Sequence, residues 1–182
     1  MPNPELSAHA LRVADLPQNR PATFDVTPDG AILADIAQHL SLIKLQKLRF
    51  AGEVVASGAA DFALSGKLGA TVVQPCIVTL APVQTRIDIP VERLYLRDFT
   101  DPEADEAEMP EDERAEPLGA WIDPVAVMVE ALSLALPLYP RSEDASLAQS
   151  QFAAPGIRPM SDEAAHPFAG LAALRGTLSK NE

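Results

Sequence analysis

Residues 83–91 read VQTRIDIPV, and the period of this stretch decides the fold. Val83, Thr85, Ile87, Ile89 and Val91 alternate with Gln84, Arg86 and Asp88. An extended chain sends successive side chains to opposite faces, so the stretch reads as a half-buried strand. Pro90 cannot donate to a ladder and predicts an edge or a bulge at that point. The same period continues outward in both directions. Leu48, Phe50 and Val54 share one parity, while Lys47, Arg49 and Glu53 share the other. Gly58 offers a turn, after which Phe62, Leu64 and Leu68 alternate with Ala63, Ser65 and Lys67. A more continuous apolar run covers 70–80, broken by Pro75, and RLYLRDF supplies a strand ending at Phe99. Two short apolar segments, 8–15 and 21–26, are punctuated by Pro17 and Pro21.

Two segments carry the other period. In TPDGAILADIAQHL, Thr27 suits a helix N-cap and Pro28 the first helical position, with Ile32, Leu33, Ile36 and Leu40 as the stripe. This predicts a helix over 28–40. In WIDPVAVMVEALSLALPLYP, Asp123 and Pro124 play the same parts. Val125, Met128, Val129, Leu132 and Leu136 form the apolar stripe, and Pro137 stops the helix. The expected fold is α+β: an antiparallel, partly barrel-like sheet of about six strands, packed by two helices. An irregular C-terminal tail should end in a short helix. The expected organisation is a single domain over 1–140, with an acidic mobile loop at 100–118 inside it. The tail then spans 141–182, with its helix near 167–175, where Phe168, Leu171 and Leu174 recur at three-residue spacing before Gly176.

The charge is unevenly spread. The net charge of -12 comes mostly from DPEADEAEMPEDERAE, residues 101–116, which holds nine acids and one arginine. Such a tract is ordinarily solvated, though it offers a surface to a basic partner. Residues 1–100 are nearly neutral, and 117–182 add -3. No apolar run is long enough to span a bilayer, and the N-terminus lacks a secretory pattern. A single cysteine excludes an internal disulfide and fits a reducing compartment, so a soluble cytoplasmic protein is expected.

Chemistry-bearing patterns are missing. His9, His39 and His166 stand in no ligand spacing, and no GxSxG, GxGxxG or P-loop motif occurs. Catalytic, cofactor-binding and metal residues are therefore expected to be none. Cys76 has no local histidine, second cysteine or charged activator, and Val73, Ile77 and Leu80 around it suit a small apolar residue on a buried strand end. Lys47, Arg49, Lys67 and Arg86 lie on predicted strands and could touch phosphates if neighbouring strands align them. The interspersed Glu53, Asp61, Asp88 and Asp98 favour a merely solvated sheet face instead.

Three segments in order, QPCIVTLAPV, IDPVAVMVEALSLALPLYP and HPFAGLAALRGTL, resemble the signature elements of the YceD family. These are the large ribosomal RNA subunit accumulation proteins, and the resemblance spans the chain in an alphaproteobacterial-type variant. Many relatives carry a C-x-x-C pair in the first segment; here Cys76 holds the first position and Thr79 the second. The departure leaves Zn²⁺ short of ligands. Glu130 represents an acidic residue within the long helix, and His166, Pro167, Phe168 and Ala169 replace the family's Asn-Pro-Phe-Ala. The resemblance implies a non-enzymatic role in 23S rRNA accumulation and large-subunit assembly. Its implied partner is a ribosomal protein or an assembly intermediate. His166, Pro167, Phe168, Leu171 and Leu174 are the candidate contacts, either as a docking peptide or, as the residues alone slightly favour, as a strap folded back onto the chain's own core. The alternative is direct rRNA binding through Lys47, Arg49, Lys67 and Arg86. No membrane and no small-molecule substrate are implied.

Overall fold

A computed structural model of the protein describes residues 7–99, 114–143, 145–146, 153–157 and 160. The chain divides into two units, 1–143 and 144–182. In the second unit, the described residues form a turn closed by Ile157 N–H donating to the Ala154 carbonyl at 3.0 Å. The proposed C-terminal helix and its residues His166, Pro167, Phe168, Leu171 and Leu174 lie outside the described residues, as does most of the acidic tract.

The first unit is built on three long antiparallel strands: β3 (Lys44–Ser57), β4 (Asp61–Pro75) and β5 (Pro82–Leu96). Two strand signals on either side of Gly69 merge into β4, and two around Glu92 merge into β5. Neither site takes a left-handed backbone, whereas Gly58, at φ 68°, supplies the one that the β3–β4 turn requires. Strand β2 (Ala22–Val26) pairs antiparallel with β3. At the other edge, β6 (Ala115–Pro117) runs parallel to β5 through Leu94–Leu96. The sheet order is β2-β3-β4-β5-β6, so the sheet is mixed rather than antiparallel. Its edges do not pair with each other, so no barrel closes. The last residues of the acidic tract, expected inside a solvated loop over 100–118, are thus the sixth-laid strand of the chain. At Pro90, β5 has a neighbour on one side only, which agrees with the edge position its sequence demands. A separate two-stranded ladder joins β1 (Leu11–Arg12) to β7 (Trp121–Ile122), which shortens the strand expected over 8–15.

The inner face follows the period of two. Phe62, Leu64, Leu68, Ala70 and Val72 of β4 are buried, as are Ile87, Val91 and Tyr95 of β5. On β3 the parity switches: Lys47 and Leu48 stand together opposite Ala70, a bulge that keeps both Leu45 and Leu48 buried. Lys47 absorbs the irregularity at φ 52°.

Helix α1 (Gly30–His39) is two residues shorter at its start than the sequence suggested. Asp29, not Thr27, caps it, its carboxylate accepting from the Ala31 and Ile32 amides at 2.9 Å each. Ile36 and Ala37 are its buried residues, while Ile32 faces solvent. Helix α2 (Pro124–Ala135) is capped by Asp123 as its sequence predicts, Val125 N–H donating at 2.9 Å. Its buried face centres on Val127, Met128, Ala131 and Leu132. Val125, Val129 and Leu136 of the predicted stripe flank that face and are partly buried. Among the described residues no helix is long and apolar enough to cross a membrane.

Candidate functional site

Three places in the first unit bring chemistry-bearing side chains together. On the outer sheet face, Arg49, Lys67 and Arg86 line one shallow concavity of about 690 Å³, floored by Ala51 and Gly69. The strand register aligns them: Arg49 stands beside Gly69, Gly69 beside Asp88, and Lys67 between Ala51 and Pro90. A Cβ at Gly69 would meet only the movable ends of the Arg86 and Asp88 side chains, the Arg86 guanidinium at 2.5 Å. Lys47 does not join them. The bulge removes it from the shared parity, and it lines a different concavity between α1 and β3.

The cations of this face are largely neutralised. Arg49 donates to Asp25 through Nε at 2.9 Å and Nη2 at 2.6 Å. Arg86 holds Asp88 through Nε at 2.7 Å and Nη2 at 2.5 Å, and reaches Thr71 Oγ1 at 3.4 Å. Each guanidinium bond keeps its aspartate below the usual carboxylate range. Both pairs are exposed and screened by solvent, so they contribute little stability. What they decide is the charge of the face: three cations against two aspartates.

The second place lies where β5, β6 and α2 meet. Arg93 Nε contacts Glu116 Oε1 at 2.9 Å and Arg93 Nη2 contacts Glu130 Oε1 at 3.0 Å. Its Nη1 donates to the Glu92 carbonyl at 2.9 Å. One cation therefore serves two carboxylates. Burial and the nearby Glu130 push the Glu116 carboxyl above its ordinary range, against the pull of Arg93. Tyr95, in register with Glu116, is pushed up by burial first and by the Glu116 charge second. Neither Tyr95 nor Glu116 stands out in the sequence, because the parallel β5–β6 pairing that joins them has no local signature. Glu130 does show, as a lone acid in an apolar helix.

The third place is the turn after β4. Cys76 is fully buried, in line with its reading as a small buried residue, but its sulfur has polar company. Val78 N–H, Thr79 N–H and the Ser142 hydroxyl approach Sγ at 3.4, 3.5 and 3.8 Å. Thr79, at the position where relatives carry a second cysteine, thus stands beside Cys76 in space. Ile77 and Leu80 are exposed rather than packed around it, and Leu80 is turned out at φ 60°. The two family-like segments meet here: Ile77 N–H donates to the Pro140 carbonyl at 3.0 Å, and Gln74 Nε2 to the Pro137 carbonyl at 3.3 Å. Among the described residues no group of three or more His, Cys, Asp or Glu could hold a metal ion.

Hydrogen bonding, from the Thr79 side chain first and then from the Ser142 and Thr79 backbone, lowers the Cys76 thiol from 9.0 to about 6 against the opposing effect of burial. A depressed pKa stabilises the fold fully above the unfolded-state pKa, and that stabilisation is lost as pH falls through the folded-state value. Stability should therefore rise as pH climbs from about 6 towards 9, and the contribution should vanish below that window. Urea denaturation of wild type and Cys76→Ser at pH 6, 7.5 and 9 checks this. The variant should lack the rise, and an equal rise in both would refute it.

No curated protein and no solved structure matches the chain. A family model, the large ribosomal RNA subunit accumulation protein YceD, matches residues 64–175. That match is narrower than a resemblance over the whole chain, leaving β1 to β3 outside it. It takes in β4 from Leu64 onward, the Cys76 turn, the Arg93 cluster and α2. Because it covers more than half of the sequence, the chain belongs to the YceD family.

Proposed function

We propose that the protein is a non-enzymatic ribosome biogenesis factor that supports 23S rRNA accumulation in the cytoplasm by contacting a protein partner. The partner is a ribosomal protein or a large-subunit assembly intermediate. The family's name implies involvement in accumulation of large-subunit ribosomal RNA, and it describes no reaction. The observation that carries the choice of protein over RNA is the pairing on the outer sheet face. Arg49 and Arg86 are committed to Asp25 and Asp88, which leaves Lys67 as the cation there without an ion pair among the described residues. A phosphate backbone is bound by unspent cations, each contact adding about -0.9 to the slope of log K against log salt.

Filter binding to large-subunit rRNA fragments between 50 and 200 mM salt should give weak binding and a slope shallower than about -2. Tight binding with a steep slope, lost in Arg86→Ala, would favour the direct RNA reading instead. Affinity capture of the full chain, with and without RNase and read by mass spectrometry, should return large-subunit proteins that survive RNase. Capture that RNase abolishes would refute the protein-partner reading.

A further inference from the structure

Strand β5 is paired along nearly its whole length on one side and along only its last residues on the other. Toward β4 its register runs unbroken from Pro82 to Tyr95, while β6 takes up only Leu94–Leu96. The Leu94 amide donates to the Arg114 carbonyl, and the Leu96 carbonyl accepts from the Leu118 amide, both at 2.8 Å. Even-numbered residues therefore turn their backbone groups away from β4, and with no bulge that parity holds back to Pro82. Pro82, Gln84, Arg86, Asp88, Pro90 and Glu92 are all exposed. Among the described residues nothing pairs with the amides of Gln84, Arg86, Asp88 and Glu92. An open edge of this length is a template for another strand.

Two features of the edge identify that strand. The outward residues between Pro82 and the start of β6 are centred on Ile87, and so is the ion pair Arg86–Asp88, closed at 2.5 Å. A second β5 laid antiparallel about Ile87 sets Arg86 against Asp88 in both halves, and its ends coincide with the ends of the open stretch. A centre at Arg86 or at Asp88 would set like charges face to face. We infer that two copies of this chain associate through β5, antiparallel about a two-fold axis at Ile87, into one continuous sheet. The amides of Gln84, Arg86, Asp88 and Glu92 then donate to the carbonyls of Pro90, Asp88, Arg86 and Pro82 of the second copy. The two prolines withhold donors only away from the centre. One of them faces the Glu92 carbonyl, which already accepts from Arg93. At the axis each guanidinium lies between two carboxylates. Val83 of the second copy comes opposite Val91, beside a concavity of about 530 Å³ where Leu134 of α2 stands 75% exposed. The inference goes beyond the protein-partner reading and does not rest on it.

Sedimentation of the full chain at about 0.15 M salt should show a reversible dimer, its dissociation constant on the order of tens of micromolar, as a small strand-edge interface gives. A single chain mass up to about 0.5 mM overturns the inference. Asp88→Arg, at an exposed position, should raise the dissociation constant at least about tenfold, because the new guanidinium meets Arg86 of the second copy on both sides of the axis. The swap Arg86→Asp/Asp88→Arg restores opposite charges in the Ile87 register and should restore the dimer. Both variants should keep the circular dichroism and melting temperature of the dilute wild type. A dimer untouched by Asp88→Arg, or a swap that fails to rescue it, refutes the register. Amide exchange of the wild type reads the same edge without any substitution. The Gln84, Arg86 and Asp88 amides should slow as concentration rises, while those of Thr85, Ile87 and Ile89, already in the β4 ladder, should not change. Exchange at the edge that stays constant while the chain dimerises overturns β5 as the interface.

Discussion

Replacing Phe50 by alanine is expected to lower the unfolding free energy by about 3–5 kcal/mol, the usual cost of emptying a large aromatic site in a core. Phe50 is fully buried and stands in register between Val26 of β2 and Leu68 of β4. Its ring lies 4.9 Å from that of Phe24, tilted by 52°, so the loss includes an aromatic contact as well as buried area. The site cannot collapse to fill the space, because the backbones on both sides are tied into ladders. Urea denaturation should show a lower midpoint with an unchanged slope. A loss under about 1 kcal/mol would mean that the ring is not the joint between β2, β3 and β4 that its contacts describe.

Gly52→Ala should be nearly as damaging, for the opposite reason. A Cβ at Gly52 would lie 2.1 Å from the Ser65 carbonyl oxygen, 2.6 Å from the Gly66 Cα and 2.9 Å from Phe24 Cζ. The first two are backbone atoms of the facing strand, so no side-chain rotation relieves them. The chain must part β3 from β4 where Gly52 stands opposite Gly66, or displace Phe24 from the core. A loss of about 3 kcal/mol is expected, at the upper end of overpacking costs. Gly30→Ala is the control. Nothing lies within 4 Å of its Cβ, and alanine favours the helix that Gly30 opens, so stability should hold or rise slightly. Equal losses from the two substitutions would refute the steric account.

Legibility in the sequence followed the range of each interaction. The alternation in VQTRIDIPV reports a strand because parity is a property of neighbouring residues, and the same holds for the caps of α2. Thr27 misled because a cap is fixed by the finished backbone, which sets the Asp29 carboxylate against the free Ala31 and Ile32 amides. Gly69 carried no turn. The Arg86 guanidinium of the next strand lies over it, from some seventeen residues away in the chain. The basic group was half legible: parity placed Arg49, Lys67 and Arg86 on one face, while the bulge took Lys47 from it. Of the Arg93 cluster only Glu130 was legible. Glu116 reads as one more acid in a solvated tract, and becomes a partner of Arg93 only because β6 pairs parallel with β5.

By itself the sequence determined the periods, the two helices, the burial of Cys76 and the family. Each is written in local spacing or in the order of short segments, which survive without knowledge of what lies opposite. The tertiary structure alone decided which acids neutralise which bases, where parity slips, and that β6 pairs with only the last residues of β5. Charge pairing and edge pairing depend on distances between strands, and those are set by register and by the packing of α2 rather than by any residue's neighbours in the chain.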